Sequence, residues 1–178
     1  MQTPPLAEFM NPWRLAAEGG RLEGVLALAV LPRLAELLNR TEGVVTVTMT
    51  AGVDEQGIPF VIGRLTAAIE VVCQRCLGSL RLPLDVTVRL GLARTEAEAD
   101  RLPEHYEPLL VPEGGLVIAD WVEDELLLAL PQIPRHDDLR ECAANGYRAS
   151  LGECAPDPES RQPFAVLAAL LRDSKIKE

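Results

Sequence analysis

At 178 residues, 48% of them hydrophobic and 25% charged, the chain has the makeup of an ordinary soluble globular protein with one domain, which excludes a mainly disordered chain, a collagen and a disulfide-dense mini-scaffold. Aromatic residues are only 4%, so the core has to be built from Leu, Val, Ile and Ala. The net charge of −10 is concentrated in residues 91–130, which hold ten acids against two bases, and such a chain as a whole repels a nucleic acid duplex.

Taken in chain order, residues 1–12 carry Pro4, Pro5 and Pro12 and are expected to be a flexible N-terminal arm. Residues 13–18 suit a short helical turn stopped by Gly19-Gly20, and residues 21–30 a strand interrupted at Gly24. Pro32 fits the first turn of a helix whose stripe is Leu34, Leu37 and Leu38. Three stretches then alternate apolar and polar with a period of two: 45–51, 65–73 and 80–90. Such alternation predicts antiparallel strands covered on one face only, and Pro83, with no N–H, marks an edge position or a strand start.

The acidic region 94–115 is expected to hold a short helix near 96–100 and then loop. Asp120 reads as the N-cap of the best helix, with Glu123, Asp124 and Glu125 in a first turn where the helix dipole favours acids, and Pro131 ends it. Residues 131–162 are Pro-rich and expected to be extended, followed by a helix over 164–172 and a tail at 173–178. The whole predicts an α+β fold, an antiparallel sheet of several strands covered on one face by helices, in a single domain spanning 13–172.

No stretch approaches the ~20 apolar residues of a membrane span. The first residues lack the basic and apolar regions of a secretory signal, so the expected location is the cytoplasm, where thiols stay reduced. The sharpest motif is Cys73-Gln74-Arg75-Cys76, at a turn between two strong strands. Two thiolates so spaced can share one metal ion, zinc being the natural choice, but a tetrahedral site needs two more ligands. Cys142, Cys154, His136 and His105 are available, and a plain pair of packed thiols is the alternative. Thiol exchange is disfavoured because no helix follows Cys76.

The carboxylates at 120–125 suit a helix start better than a general acid or base, and His136-Asp137-Asp138 has no identifiable nucleophile to serve. Neither a P-loop nor a G-x-G-x-x-G is present, and the aromatic residues are too dispersed to stack bases. Residue chemistry alone thus reaches a non-enzymatic protein with a possible metal-stapled hairpin.

Four blocks carry a family resemblance. They are Asn11-Pro12-Trp13-Arg14-Leu15 with Leu22-Glu23-Gly24; Cys73-Gln74-Arg75-Cys76-Leu77; Val122-Glu123-Asp124-Glu125-Leu126-Leu127-Leu128-Ala129-Leu130-Pro131 with Pro134 and His136; and Gln162-Pro163-Phe164-Ala165-Val166-Leu167-Ala168-Ala169-Leu170. In that order they resemble the YceD family, the large ribosomal RNA subunit accumulation proteins. The resemblance implies a cytoplasmic, non-enzymatic protein of ribosome biogenesis that supports synthesis, processing or stability of 23S rRNA. It carries over no catalytic residue. It does favour Cys142, a few residues after His136, so the implied metal set is Cys73, Cys76, Cys142 and His136, with Cys154 the alternative fourth ligand.

The acidic middle of the chain favours a basic ribosomal protein or assembly factor as partner, and so indirect action on the rRNA. Direct RNA contact would fall to Arg64, Arg75, Arg81 and Arg89 on a sheet face, if these do more than solvate it. The alternative to a binding protein is an enzyme with a metal or thiol centre at the Cys-x-x-Cys motif.

Overall fold

The computed structural model describes residues 4–112 and 114–148. Its centre is a five-stranded sheet of order β2-β3-β4-β5-β6: β2 (Arg21–Ala27), β3 (Val44–Val53), β4 (Pro59–Val72), β5 (Ser79–Ala93) and β6 (Glu107–Leu110). The first four strands pair antiparallel, as the alternation predicts. Register aligns one apolar row across the sheet: Leu22 with Met49, Met49 with Gly63, Gly63 with Val88. Val45, Val47, Met49, Leu65 and Ile69 are at most 1% exposed, which places the core on this face. The opposite face carries Thr48, Arg64 and Thr87 in one row, and Arg64 is held there by both oxygens of Asp85 at 2.7 and 2.6 Å.

Short helices cover the apolar face: α1 (Pro12–Ala17), α2 (Pro32–Ala35) and α4 (Ile118–Ala129). Gly63 lets α4 lie close to the sheet, because a Cβ there would come within 3.0 Å of Val88 and 3.5 Å of the Trp121 ring. Among the described residues, no helix is long and apolar enough to cross a membrane.

Several elements depart from the sequence expectation. The strand from Arg21 ends at Ala27, and residues Leu28–Val30 form a 3-10 turn that sends Leu28 and Leu31 fully into the core. α2 is a single turn, because Asn39 donates to the Glu70 carbonyl at 2.8 Å and draws the chain onto β4. Leu37 is consequently half exposed.

Within the stretch expected to be a loose arm, residues Phe9–Met10 form β1, which pairs with β7 (Leu116–Val117), and Pro4 and Leu6 bond along Val25 on the margin of β2. After α3 (Glu96–Ala99), β6 joins β5 in parallel, so the sheet is mostly antiparallel. A four-residue, largely exposed strand paired to one neighbour leaves too little pattern to be seen in sequence. β6 covers only the end of β5 from Leu90 onward, and Pro83 lies where the far side of β5 has no partner among the described residues.

Asp120 is not the N-cap of α4. The helix begins at Ile118 with Val117 as its cap, and Asp120 sits inside the first turn. Glu123 is consequently not a solvated first-turn acid but 2% exposed. The Pro-rich segment from 131 is not wholly extended either, because α5 (Leu139–Ala144) forms in it, capped by Asp138, which accepts from the Arg140 N–H at 2.8 Å. The expected helix over 164–172 and the tail lie outside the described residues.

Candidate metal centre

The β4–β5 turn builds the site. Cys73 is the first residue past β4; its N–H donates to the Gly78 carbonyl at 2.9 Å, and the Leu77 N–H donates back to the Cys73 carbonyl at 2.9 Å. Leu77 takes a left-handed conformation, φ 59°, to close the turn. Gly78 follows, and a Cβ there would displace the Asn145 side chain, which it would meet at 2.6 Å. This tight loop points both Cys73 and Cys76 back toward the segment after α4.

That segment docks by its backbone. Gln74 N–H donates to the Pro134 carbonyl at 2.8 Å, which sets His136 over the turn. Its Nε2 lies 3.0 Å from the Ser79 carbonyl, an acceptor only, so Nε2 carries the hydrogen and Nδ1 presents its lone pair to the sulfurs. Nδ1 is 3.5 Å from the Cys76 Sγ and 3.6 Å from the Cys142 Sγ, while Cys142, on α5, has its Sγ 4.0 Å from that of Cys73.

All four ligand atoms lie within 4.8 Å of one another. A tetrahedral ion at zinc bond lengths needs S–S edges of about 3.8 Å and S–N edges of about 3.5 Å. The cluster is compatible with a metal site on distance, on donor type and on the orientation of the imidazole.

Electrostatics point the same way. Burial resists ionisation of Cys73, but the N–H groups of Cys76, His136 and Arg75 aimed at its sulfur outweigh it and lower its thiol to about 5. Burial raises Cys142, and the Cys76 and Cys73 sulfurs beside it add to the effect. Without a cation, three sulfurs this close cannot all hold charge; a divalent ion removes the conflict. Arg75 supplies part of that charge. It lies in the turn, not on the sheet face expected of it, and its guanidinium donates to the His136 carbonyl at 3.3 Å and lies 3.9 Å from the Cys142 sulfur.

Of the ligands considered in sequence, the fold thus gathers Cys73, Cys76, His136 and Cys142. His105 is elsewhere, its ring 4.3 Å from that of Tyr106, and Cys154 lies outside the described residues. Asp137 and Asp138 do not orient His136 as a base; its Nε2 faces a carbonyl.

One contact escaped the sequence reading. Glu123 accepts from the Leu34 N–H at 3.0 Å and from Arg33 Nε at 2.7 Å, tying α4 to α2. Within the acidic middle of the chain, Glu107 on β6 acts on Glu125 of α4: burial raises the Glu125 carboxyl above its usual value, and Glu107 and Asp124 raise it further.

A family model described as "Large ribosomal RNA subunit accumulation protein YceD" matches residues 61–171. The "Large ribosomal RNA subunit accumulation protein YceD" of Haemophilus influenzae is 34% identical over 175 residues, covering 96% of this chain and 98% of the relative. No solved structure matches.

Proposed function

The chain belongs to the YceD family of large ribosomal RNA subunit accumulation proteins, and from that premise we propose that it is a non-enzymatic cytoplasmic protein of ribosome biogenesis that supports synthesis, processing or stability of 23S rRNA. The observation that carries this is likeness to the relative along 96% of the chain, so the shared feature is the whole molecule and not a detached motif. Depletion of the protein in its own cell is the test. The ratio of 23S to 16S rRNA is expected to fall, and an unchanged ratio overturns the reading.

In this reading Cys73, Cys76, His136 and Cys142 hold a zinc ion with a structural task. Four protein donors fill a tetrahedron and leave no open position for substrate, which is how structural zinc differs from catalytic zinc. When bound, the ion pins the segment after α4 to the β4–β5 turn. Changing Cys73 and Cys76 to Ser separates this from a metal or thiol enzyme: a staple loses thermal stability, whereas an enzyme loses turnover and keeps its stability.

The working surface is then the acidic one, and its partner a basic ribosomal protein or assembly factor. Exposed Glu96, Glu98, Glu104 and Glu107 share with Glu125 a stretch that carries an excess of negative charge, and Glu107 and Asp124 add to the burial that raises the Glu125 carboxyl. A cationic partner relieves that excess. Recovery of basic partners with the tagged protein is expected to weaken as salt rises, because exposed charges are screened. Salt-independent recovery contradicts it.

A further inference from the structure

The hydrogen bonds that tie residues 131–148 to the rest of the described protein all fall in one small area. Besides the sulfur contacts, the Gln74 N–H donates to the Pro134 carbonyl, the His136 N–H lies 3.5 Å from the Cys73 Sγ, Arg75 donates to the His136 carbonyl, His136 Nε2 donates to the Ser79 carbonyl, and Asn145 Nδ2 lies 3.8 Å from the Cys76 Sγ. Every one of these ends on residues 73–79. The same three sulfurs that gather a cation therefore gather the segment. They differ in access: Cys73 and Cys142 are fully buried, and Cys76 is partly exposed.

We propose that Cys76 is a modification site, the point at which a peroxide oxidises this centre, and that a Cys73–Cys76 disulfide then forms, freeing the ion and unlatching residues 131–148. This rests on the reading that the cluster holds a metal.

The chemistry balances with the peroxide as sole oxidant. The Cys76 sulfur attacks one peroxide oxygen, the O–O bond breaks, and hydroxide leaves with a proton taken from solvent to give water. The Cys73 sulfur attacks Cys76, the S–O bond breaks, and a second hydroxide leaves. The two sulfurs together lose two electrons, the peroxide gains them, and the ion leaves with its charge unchanged. Cys73 is the closing sulfur because both cysteines sit in one turn already drawn together by the Leu77 N–H on the Cys73 carbonyl, so side-chain rotation suffices. Cys142 and His136 alone are too few ligands to retain the ion. With Cys73 in a disulfide, the His136 N–H also loses its anionic acceptor.

The test uses the full-length, zinc-loaded protein and hydrogen peroxide. Release of about one ion per chain is expected, with a mass loss of about 2 Da that maps to Cys73 and Cys76 while Cys142 stays open to alkylation. Tryptic cleavage at Arg135 and Arg140 is expected to accelerate about tenfold, as a segment loses its local protection. A thiol reductant with zinc should reverse all three changes. C76D, which offers oxygen in place of the oxidisable sulfur, should keep its ion in peroxide, and C154S should behave as the parent.

Retention of the ion by the parent, a first disulfide that includes Cys142, or ion loss with unchanged cleavage each overturns the proposal and leaves the metal reading standing. A protein that holds no zinc before peroxide, and takes none up, removes the metal reading itself.

Discussion

The Glu123 carboxylate lies 3.0 Å from the backbone nitrogen of Leu34, 89 residues earlier in the chain. Its other oxygen accepts from Arg33 Nε at 2.7 Å, and Arg33 extends to Asp124, also at 2.7 Å. One buried acid thereby satisfies an N–H at the start of a single-turn helix and fastens two elements that cover the sheet. The net effect of its surroundings is a lowered carboxyl: burial opposes ionisation, but the Leu34 N–H and Arg33 outweigh it.

Glu123→Ala leaves a buried N–H without an acceptor and should cost about 1–3 kcal/mol. Glu123→Gln keeps one acceptor oxygen and should cost less. Denaturant unfolding of both variants checks the order, and equal losses would mean that the carboxylate charge, which both variants remove, is what matters there and not the acceptor that Gln retains.

The same residue predicts a response to acid. A carboxyl lower in the folded than in the unfolded state stabilises the fold fully above its ordinary value near 4.5, and that contribution is lost as pH falls through the folded value. Stability of the parent should therefore drop below about pH 4.5 more steeply than that of Glu123→Gln. Thermal melts of the two across pH 3 to 6, roughly the carboxylate range, decide it.

On the proposed zinc reading, metal removal should act locally before it acts globally. Chelation is expected to lower Tm by about 10 °C, as loss of a tight native-state ligand does. Hydrogen exchange should rise first at residues 73–79 and 131–148, and later in β3. Uniform loss of protection would place the cluster inside the cooperative core of the sheet.

Leu77 is held at φ 59° and is 77% exposed, so its side chain gains almost nothing from packing. Leu77→Gly removes a strain of about 1–2 kcal/mol and loses roughly half of that to chain entropy. A small net gain in stability is expected. A clear loss would reveal a contact of Leu77 that burial does not register.

Much of the sheet was legible because β3, β4 and β5 each keep one face apolar over ten or more residues, and only a pleated strand gives that pattern. β6 and α5 were not, being shorter than any window in which a period can be counted. The turn cysteines stood out by spacing. Cys142 did not: its approach to Cys73 depends on where α4 ends and how Pro134 meets Gln74, which are tertiary facts. Glu123 did leave a signal. It lies four residues after Ala119 and three before Leu126, on the apolar stripe of α4, where a carboxylate needs a donor from another element.

The centre also has a bearing on the order of events during synthesis. Cys76 and His136 are separated by 60 positions, and Cys73 and Cys142 by 69. A nascent chain that has exposed only the first two thiols offers half a tetrahedron, which binds an ion weakly. The missing donors arrive after β5, the crossover and α4 have been made, and joining ends so far apart costs entropy that an assembled sheet has already spent. Any ion captured there consequently marks a molecule whose translation has passed Cys142 and whose strands have met.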